Sequence, residues 1–184
     1  MKTEQNIFVR FMLTLLSLFV TLVALGSFIF LYLDTELPNV GELKTLQLQT
    51  PLRIYTVDGK LISEFGELHR TPVTFDQIPK PLINAVLATE DQRYFEHIGV
   101  DPYGLLRATT QLLLTGTKSQ GGSTITMQVA RNFYLTRKKT YLRKLHEIML
   151  AMKIERQISK EKILELYLNK IYFGSRAYGV AAAA

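Results

Sequence analysis

The sequence predicts a mainly α-helical domain behind one N-terminal transmembrane helix, with a small β-hairpin near residues 52–66. Three observations carry that prediction. An uncharged apolar run of 23 residues extends from Phe11 to Leu33, apolar residues recur at helical spacing from Pro79 onward, and an Asp-Gly pair separates two β-rich runs. The 184 residues suit one domain of ordinary size, and a 47% apolar content fills a core, which excludes wholesale disorder. With no cysteine there are no disulfides, thiolate metal sites or Cys nucleophile, and three scattered histidines argue against a His-rich metal site.

The run Phe11–Leu33 is about 34 Å long as a helix at ~1.5 Å per residue, enough to cross a bilayer. A cleaved signal peptide is the alternative, but its apolar region is usually only ~7–15 residues long. This run also lacks a small-x-small exit, which favours a retained signal-anchor. Lys2 and Arg10 precede it while Asp34 and Glu36 follow it. The positive-inside rule therefore places 1–10 as a cytoplasmic tail, 11–33 as the span, and the rest outside.

Residues 34–70 read as a connector with turn residues at Pro38, Asn39 and Gly41, followed by the hairpin: Arg53-Ile-Tyr-Thr-Val, Asp58-Gly59, then Lys60 to Phe65. Leu82, Ile83, Val86 and Leu87 mark a helix ending near Glu90. Asp101-Pro102 is an N-cap and first-turn proline opening a helix to about Leu114. A Gly/Ser/Thr/Lys loop follows, and Ser123 is the expected cap of the next helix. Thr140 is the expected cap of a long helix to Gln157, with Leu142, Leu145, Ile148, Met149 and Met152 on its apolar side. Ser159 opens the last long helix, carrying Ile163, Leu164, Tyr167 and Leu168 until Gly174 ends it, and the final alanines begin another.

Charge is sorted along the chain. Residues 34–130 carry 8 basic and 11 acidic side chains, and residues 131–162 carry 10 basic and 3 acidic. A solvated helix face explains such a run, as do anionic headgroups or a phosphate-bearing substrate. The topology disfavours nucleic acid.

Four stretches carry side chains suited to chemistry. In Glu90-Asp91-Gln-Arg93-Tyr-Phe95-Glu-His97-Ile-Gly99, Glu90 closes an apolar helical pattern, where a half-buried carboxylate can serve as a general base. Periodicity alone favours the plainer reading, a solvent-facing helix C-terminus with ordinary acidic residues. Gly121-Gly-Ser123-Thr124-Ile-Thr126-Met127-Gln128 places backbone N–H groups and a helix start where an anion can bind, or is a plain capped loop. In Arg143-Lys144-Leu-His-Glu147 the i, i+3 and i, i+4 spacings gather two cations and a carboxylate. That is an ordinary surface ion pair or a carboxylate beside phosphate-binding cations. Lys162-Ile-Leu-Glu165-Leu-Tyr-Leu-Asn169 reads as an amphipathic helix.

Taken in order, the four stretches resemble the glycosyltransferase domain of the class A penicillin-binding proteins, the family 51 peptidoglycan polymerases. That family's patterns are E-D-x-x-F-x-x-H-x-G, G-G-S-T-I-T-Q-Q, R-K-x-x-E and K-x-x-I-L-E-x-Y-L-N. One departure is Met127, where the pattern has its first Gln. The segment Pro51–Glu67 is similar to the bifunctional Gram-negative members, whose serine transpeptidase domain has no counterpart in these residues.

The resemblance implies a lysozyme-like fold over 71–184, truncated within the domain, and polymerisation of lipid II into a growing glycan strand. Glu90 matches the general base, acting on the acceptor sugar's 4-hydroxyl. That oxygen attacks C1 of the donor with inversion and expels undecaprenyl pyrophosphate. Arg93, Arg107, Arg131, Lys139, Arg143 and Lys144 match basic residues of the substrate subsites, and Ser123, Thr124 and Gln128 match positioning groups. Glu147 matches the second essential carboxylate, holding a divalent metal such as Mg2+ or orienting the pyrophosphate cations; no organic cofactor is implied. Glu165 and Asn169 read as structural. Leu105, Leu106 and Leu112–Leu114 are candidates for an apolar surface pressed into the membrane, or for a core helix. Other cell-wall synthesis proteins are implied as partners. The rival readings are an inactive truncated scaffold and a lysozyme-like hydrolase of the same polymer.

Overall fold

The computed structural model describes residues 2–46, 51–65, 69–117, 121–136, 140–174 and 177–184, side chains of 2–8, 64, 69 and 70 aside. It divides the chain into two compact units, 1–38 and 39–184. The first is one helix, α1 (Lys2–Glu36), whose segment Val9–Glu36 is long and apolar enough to cross a membrane. The helix continues past both predicted ends of the span, because nothing in Asp34-Thr35-Glu36 breaks it before Pro38.

The second unit is mainly helical, as expected. It begins with a 3-10 turn, Val40–Lys44, which buries Val40 and Leu43 and packs on α5. The hairpin follows, with β1 (Leu52–Tyr55) antiparallel to β2 (Leu61–Phe65) and Leu52 opposite Phe65. Asp58-Gly59 makes the turn as predicted. Gly59 takes the positive φ of 82° that the reversal needs, and its N–H bonds the Thr56 carbonyl at 3.0 Å. Next come β3 (His69–Arg70), α2 (Lys80–Glu90), α3 (Pro102–Thr115), α4 (Ile125–Tyr134), α5 (Tyr141–Gln157), α6 (Lys160–Lys170), β4 (Tyr172–Gly174), β5 (Ala177–Tyr178) and the short α7 (Val180–Ala183). In the small sheet β5 lies between β3, its parallel neighbour, and β4, its antiparallel one.

The core is built around α4, which packs against both α5 and α6. Ile125, Met127, Val129 and Ala130 of α4 meet a buried set that includes Leu150, Ala151, Ile154, Ile163, Leu164 and Leu168. The sequence prediction for α5 needs correction. Leu142 and Leu145 are exposed and Ile148 and Met152 half-buried, whereas Met149 is buried as expected, together with Glu147, Leu150, Ala151 and Ile154. The apolar count misassigned the face because its inward edge carries a carboxylate, which no hydrophobic pattern marks. Helix α6 also ends earlier than predicted, at Lys170, and Tyr172–Gly174 is strand.

Caps account for most boundaries. Asp101 accepts the Tyr103 N–H, Thr140 that of Arg143, and Ser159 that of Lys162. For α4 the cap is Thr124, which accepts the Met127 N–H, and not Ser123. Asn169 ties α6 to the preceding segment: its amide accepts the Val73 N–H at 2.9 Å and donates to the Val73 carbonyl at 2.7 Å. Glu165 accepts the Phe75 N–H at 3.0 Å, so both residues have the structural part expected of them.

Gly99 marks the tightest approach. Its φ is +88°, and a Cβ there would lie 2.6 Å from the Ala151 carbonyl oxygen. Replacing Gly99 by Ala is expected to destabilise the domain by at least about 1–3 kcal/mol, from strain and backbone collision together, read as a lowered melting temperature. An unchanged melting temperature would contradict this packing.

Candidate active site

Helix α2 stops at Glu90 because Asp91 leaves helical backbone, with φ −158°. The chain then turns through residues 91–100 into α3, and the loop before α4 approaches from the other side. Gly122 comes close to α3 there, where a Cβ on it would lie 3.0 Å from Leu105 Cδ2. Between them lies a cleft of about 240 Å³ whose lining includes Glu90, Arg93, Arg107, Ser123 and Thr124. Five residues singled out from the sequence thus share one cavity.

Glu90 is exposed at this cleft, not half-buried as the apolar pattern suggested. It occupies the last turn of α2, where no element among the described residues covers it. The Gln128 side-chain amide donates to Glu90 Oε2 at 2.8 Å, leaving Oε1 without a hydrogen-bond partner among the described residues. Gln128 therefore acts on the carboxylate itself. Tyr167, buried beneath, is pushed up to about 12 by burial, with the Glu90 charge raising it further and Arg131 opposing. Arg131, half-buried on α4, therefore lies in the electrostatic surroundings of Tyr167.

The cations of the cleft differ. Arg93 donates to Glu96 at 2.8 Å and Asp101 at 3.2 Å and stacks over the Tyr103 ring, its pKa raised chiefly by the Glu96 bond. It is a paired cation, and a phosphate there has to compete with two carboxylates. Arg107 is exposed, with no ion pair among the described residues, and lines both the cleft and a shallow apolar groove along α3. Lys139 lies outside the described residues.

Behind the loop sits the α5 cluster. Glu147 is 1% exposed and receives Arg143 on Oε1 and Lys144 on Oε2, the latter at 3.1 Å. Lys144 also donates to Ser123 Oγ at 2.7 Å. Ser123 therefore links the cluster to the cleft, which explains why it does not cap α4. Thr124 is committed inward: its hydroxyl donates to the Gly99 carbonyl at 2.6 Å and accepts the Met127 N–H.

The donor set of Glu147 does not suit a metal ion. Both its oxygens are bonded by cations, and no group of three His, Asp or Glu side chains is arranged to hold a metal among the described residues.

Several residues of the four stretches maintain the frame instead. Asp91 and His97 form a buried pair. Tyr94 stands where the family pattern has Phe, and its added hydroxyl donates to the Lys160 carbonyl at 2.8 Å. By its spacing to Ile163, the lysine of the fourth pattern is Lys160 and not Lys162. Its ammonium donates to the Tyr94 and His97 carbonyls and to Glu155, which in turn accepts the Thr126 hydroxyl at 2.6 Å. Met127 is fully buried, so the departure from the pattern falls in the core and not in the cleft. Sequence reasoning missed the Asp91–His97 pair and the ion pair that Asp101, read only as a cap, makes with Arg93; a carboxylate followed six residues later by histidine is too common a spacing to signal a bond.

A transglycosylase family model matches residues 58–184, and the chain belongs to that family. It is 56% identical over 155 residues to penicillin-binding protein 1A of Pseudomonas aeruginosa, a match covering 84% of this chain and 19% of that protein. It is 50% identical over 179 residues to penicillin-binding protein 1A of Escherichia coli, covering 96% and 21%, and 54% identical over 155 residues to that of Vibrio cholerae, covering 84% and 19%. The chain spans about a fifth of the length of these curated relatives.

Proposed function

We propose that this chain carries the glycosyltransferase site of a membrane-anchored peptidoglycan polymerase of lysozyme-like fold acting on lipid II. The observation that carries the reading is the shared cleft: a carboxylate with one oxygen unpartnered among the described residues faces the same cavity as Arg107 and as Ser123, behind which Lys144 and Arg143 are held by Glu147. A base at one end and cations at the other suit the displacement of an anionic leaving group.

Glu90 Oε1 takes the proton of the acceptor sugar's 4-hydroxyl as that oxygen bonds to C1 of the donor on the face opposite the leaving group. The C1–oxygen bond breaks with inversion, its electron pair leaves on undecaprenyl pyrophosphate, and Glu90 ends protonated. Arg107, Lys144 and Arg143 neutralise the charge that develops on the pyrophosphate oxygens. Gln128 fixes the base, and Ser123 offers a hydroxyl at the junction. A hydrolase needs no such cationic end, which favours transfer over cleavage by water.

Helix α1 serves as the single-pass inner-membrane anchor, with residues 1–10 inside and the catalytic domain on the periplasmic side. Holding the enzyme on the bilayer that confines its substrate raises the local concentration of both. The α3 face fits that setting. Leu106, Leu112, Leu113 and Leu114 are all exposed, none of α3 is buried, and such an apolar face calls for lipid rather than water. The growing strand, and other cell-wall synthesis proteins, are the remaining partners of this reading.

The test is lipid II polymerisation in detergent or liposomes, comparing this chain with a version extended past Ala184. Glycan polymer with release of undecaprenyl pyrophosphate from either form supports the reading. If neither form makes polymer, the reading is wrong. If either instead shortens preformed glycan strands, the hydrolase reading replaces it.

A further inference from the structure

Helix α2 ends on two consecutive carboxylates in opposite surroundings. Glu90 is exposed, while Asp91 is 7% exposed and fully bonded. Asp91 Oδ2 accepts the Ile125 N–H at 3.0 Å, and His97 Nε2 lies 3.0 and 3.1 Å from the two Asp91 oxygens. A carboxylate only accepts, so Nε2 carries the proton. Ile125 is the first residue of α4, and Gln128, which bonds Glu90, stands almost one turn further along it. Two neighbouring residues at the end of α2 are therefore bonded to two residues on successive turns of α4.

That arrangement solves a problem the exposed base has. A glutamate at a helix end samples several rotamers, and one bond to a half-exposed amide fixes its direction only if the two backbones stand at a set distance. The Asp91–Ile125 bond sets that distance. His97 braces Asp91 from the other side. Its carbonyl is held by Lys160 at 2.7 Å, and its ring meets the edge of Tyr94 with centroids 6.2 Å apart. His97 is itself 7% exposed, and its Nδ1 has no hydrogen-bond partner among the described residues. A buried ring atom left unpaired is costly, so an imidazole here is poorly explained by stability. Its use lies in the bond from Nε2.

We propose that Asp91 and His97 are positioning residues for Glu90, holding α4 against the end of α2 so that Gln128 aims the Glu90 carboxylate into the cleft. This rests on the reading of Glu90 as the general base. Asp91 borders the cleft beside Glu90, but its oxygens are taken by the Ile125 N–H and His97 Nε2, so it acts through Ile125 and Gln128.

The experiment measures lipid II polymerisation by the chain extended past Ala184 in wild-type form and as Glu90→Gln, Asp91→Asn, His97→Gln, Gln128→Ala and the Asp91→Asn/Gln128→Ala pair. Asp91→Asn is expected to lower kcat at least ~10-fold with KM within ~2-fold, since ground-state binding is untouched and the base is misaimed. His97→Gln keeps a donor for Asp91 and is expected to retain more activity than Asp91→Asn. The pair is expected to be no worse than the weaker single variant, because both substitutions disturb one contact. Should Asp91→Asn fail to fold, His97→Gln with and without Gln128→Ala answers the same question. Multiplying losses in the pair, a raised KM with unchanged kcat, or wild-type rates in Asp91→Asn each overturn the positioning role. A silent wild type, or a fully active Glu90→Gln, overturns the reading of the site on which it rests.

Discussion

Replacing Glu90 by Gln is expected to abolish glycan polymerisation, a loss of about 10²–10⁴-fold if general-base assistance alone is removed. The same substitution is expected to leave the melting temperature nearly unchanged, because the side chain is exposed and surface changes are usually within about 0.5 kcal/mol. Its one bond, from Gln128, goes to an oxygen that glutamine keeps. The size, reach and acceptor are preserved and only the basic oxygen is lost. Binding of lipid II is expected to survive, so the effect falls on kcat and not on KM. Full polymerisation by the Glu90→Gln chain, measured as glycan product on lipid II, would remove Glu90 from the chemistry and make Glu147 the next residue to examine.

Much of this site was legible in the residues, and what was not has physical reasons. Caps and turns read well because their signals are local: Asp101-Pro102, Thr140, Ser159 and Asp58-Gly59 each act within a few residues. The inward face of α5 did not, because burial of Glu147 depends on Arg143, Lys144 and, through Ser123, the loop before α4. The capping role of Ser123 was misread for the same reason, since its hydroxyl answers to a lysine 21 residues away. Similarly, Glu90 belongs to an apolar helical pattern but lies where α2 runs out beyond its cover. Periodicity tells which residues share a face and is silent on whether anything covers it.

The exposed leucines of α3 illustrate the other side of that silence. Leu112 to Leu114 serve equally as core or as a lipid-facing patch when read as letters, and only the packing separates the two. The structure gives the core to α4, α5 and α6 and leaves α3 outside it. Arg107 then lies where the apolar face of α3 meets the polar cleft, a junction suited to a substrate with an anionic group between a sugar and a lipid.

Glu147→Gln is expected to damage both stability and activity, and the combination identifies what the carboxylate does. Removing one partner of a buried ion pair costs about 3–5 kcal/mol when the remaining charge has no way out to solvent. Lys144 has such a way, with its side chain 36% exposed, while Arg143 does not, so the expected cost is at the lower end and appears as a clear drop in melting temperature. Activity is expected to fall further than stability explains, because Lys144 loses the anchor that keeps it on Ser123 and at the cleft. The alternative role, a metal held by Glu147, predicts something different. Chelator would then lower the melting temperature of the unaltered chain towards that of Glu147→Gln. With Arg143 and Lys144 as the partners, chelator is expected to leave the unaltered melting temperature where it is. A chelator-dependent shift of that size would restore the metal and require Arg143 and Lys144 to move aside for it.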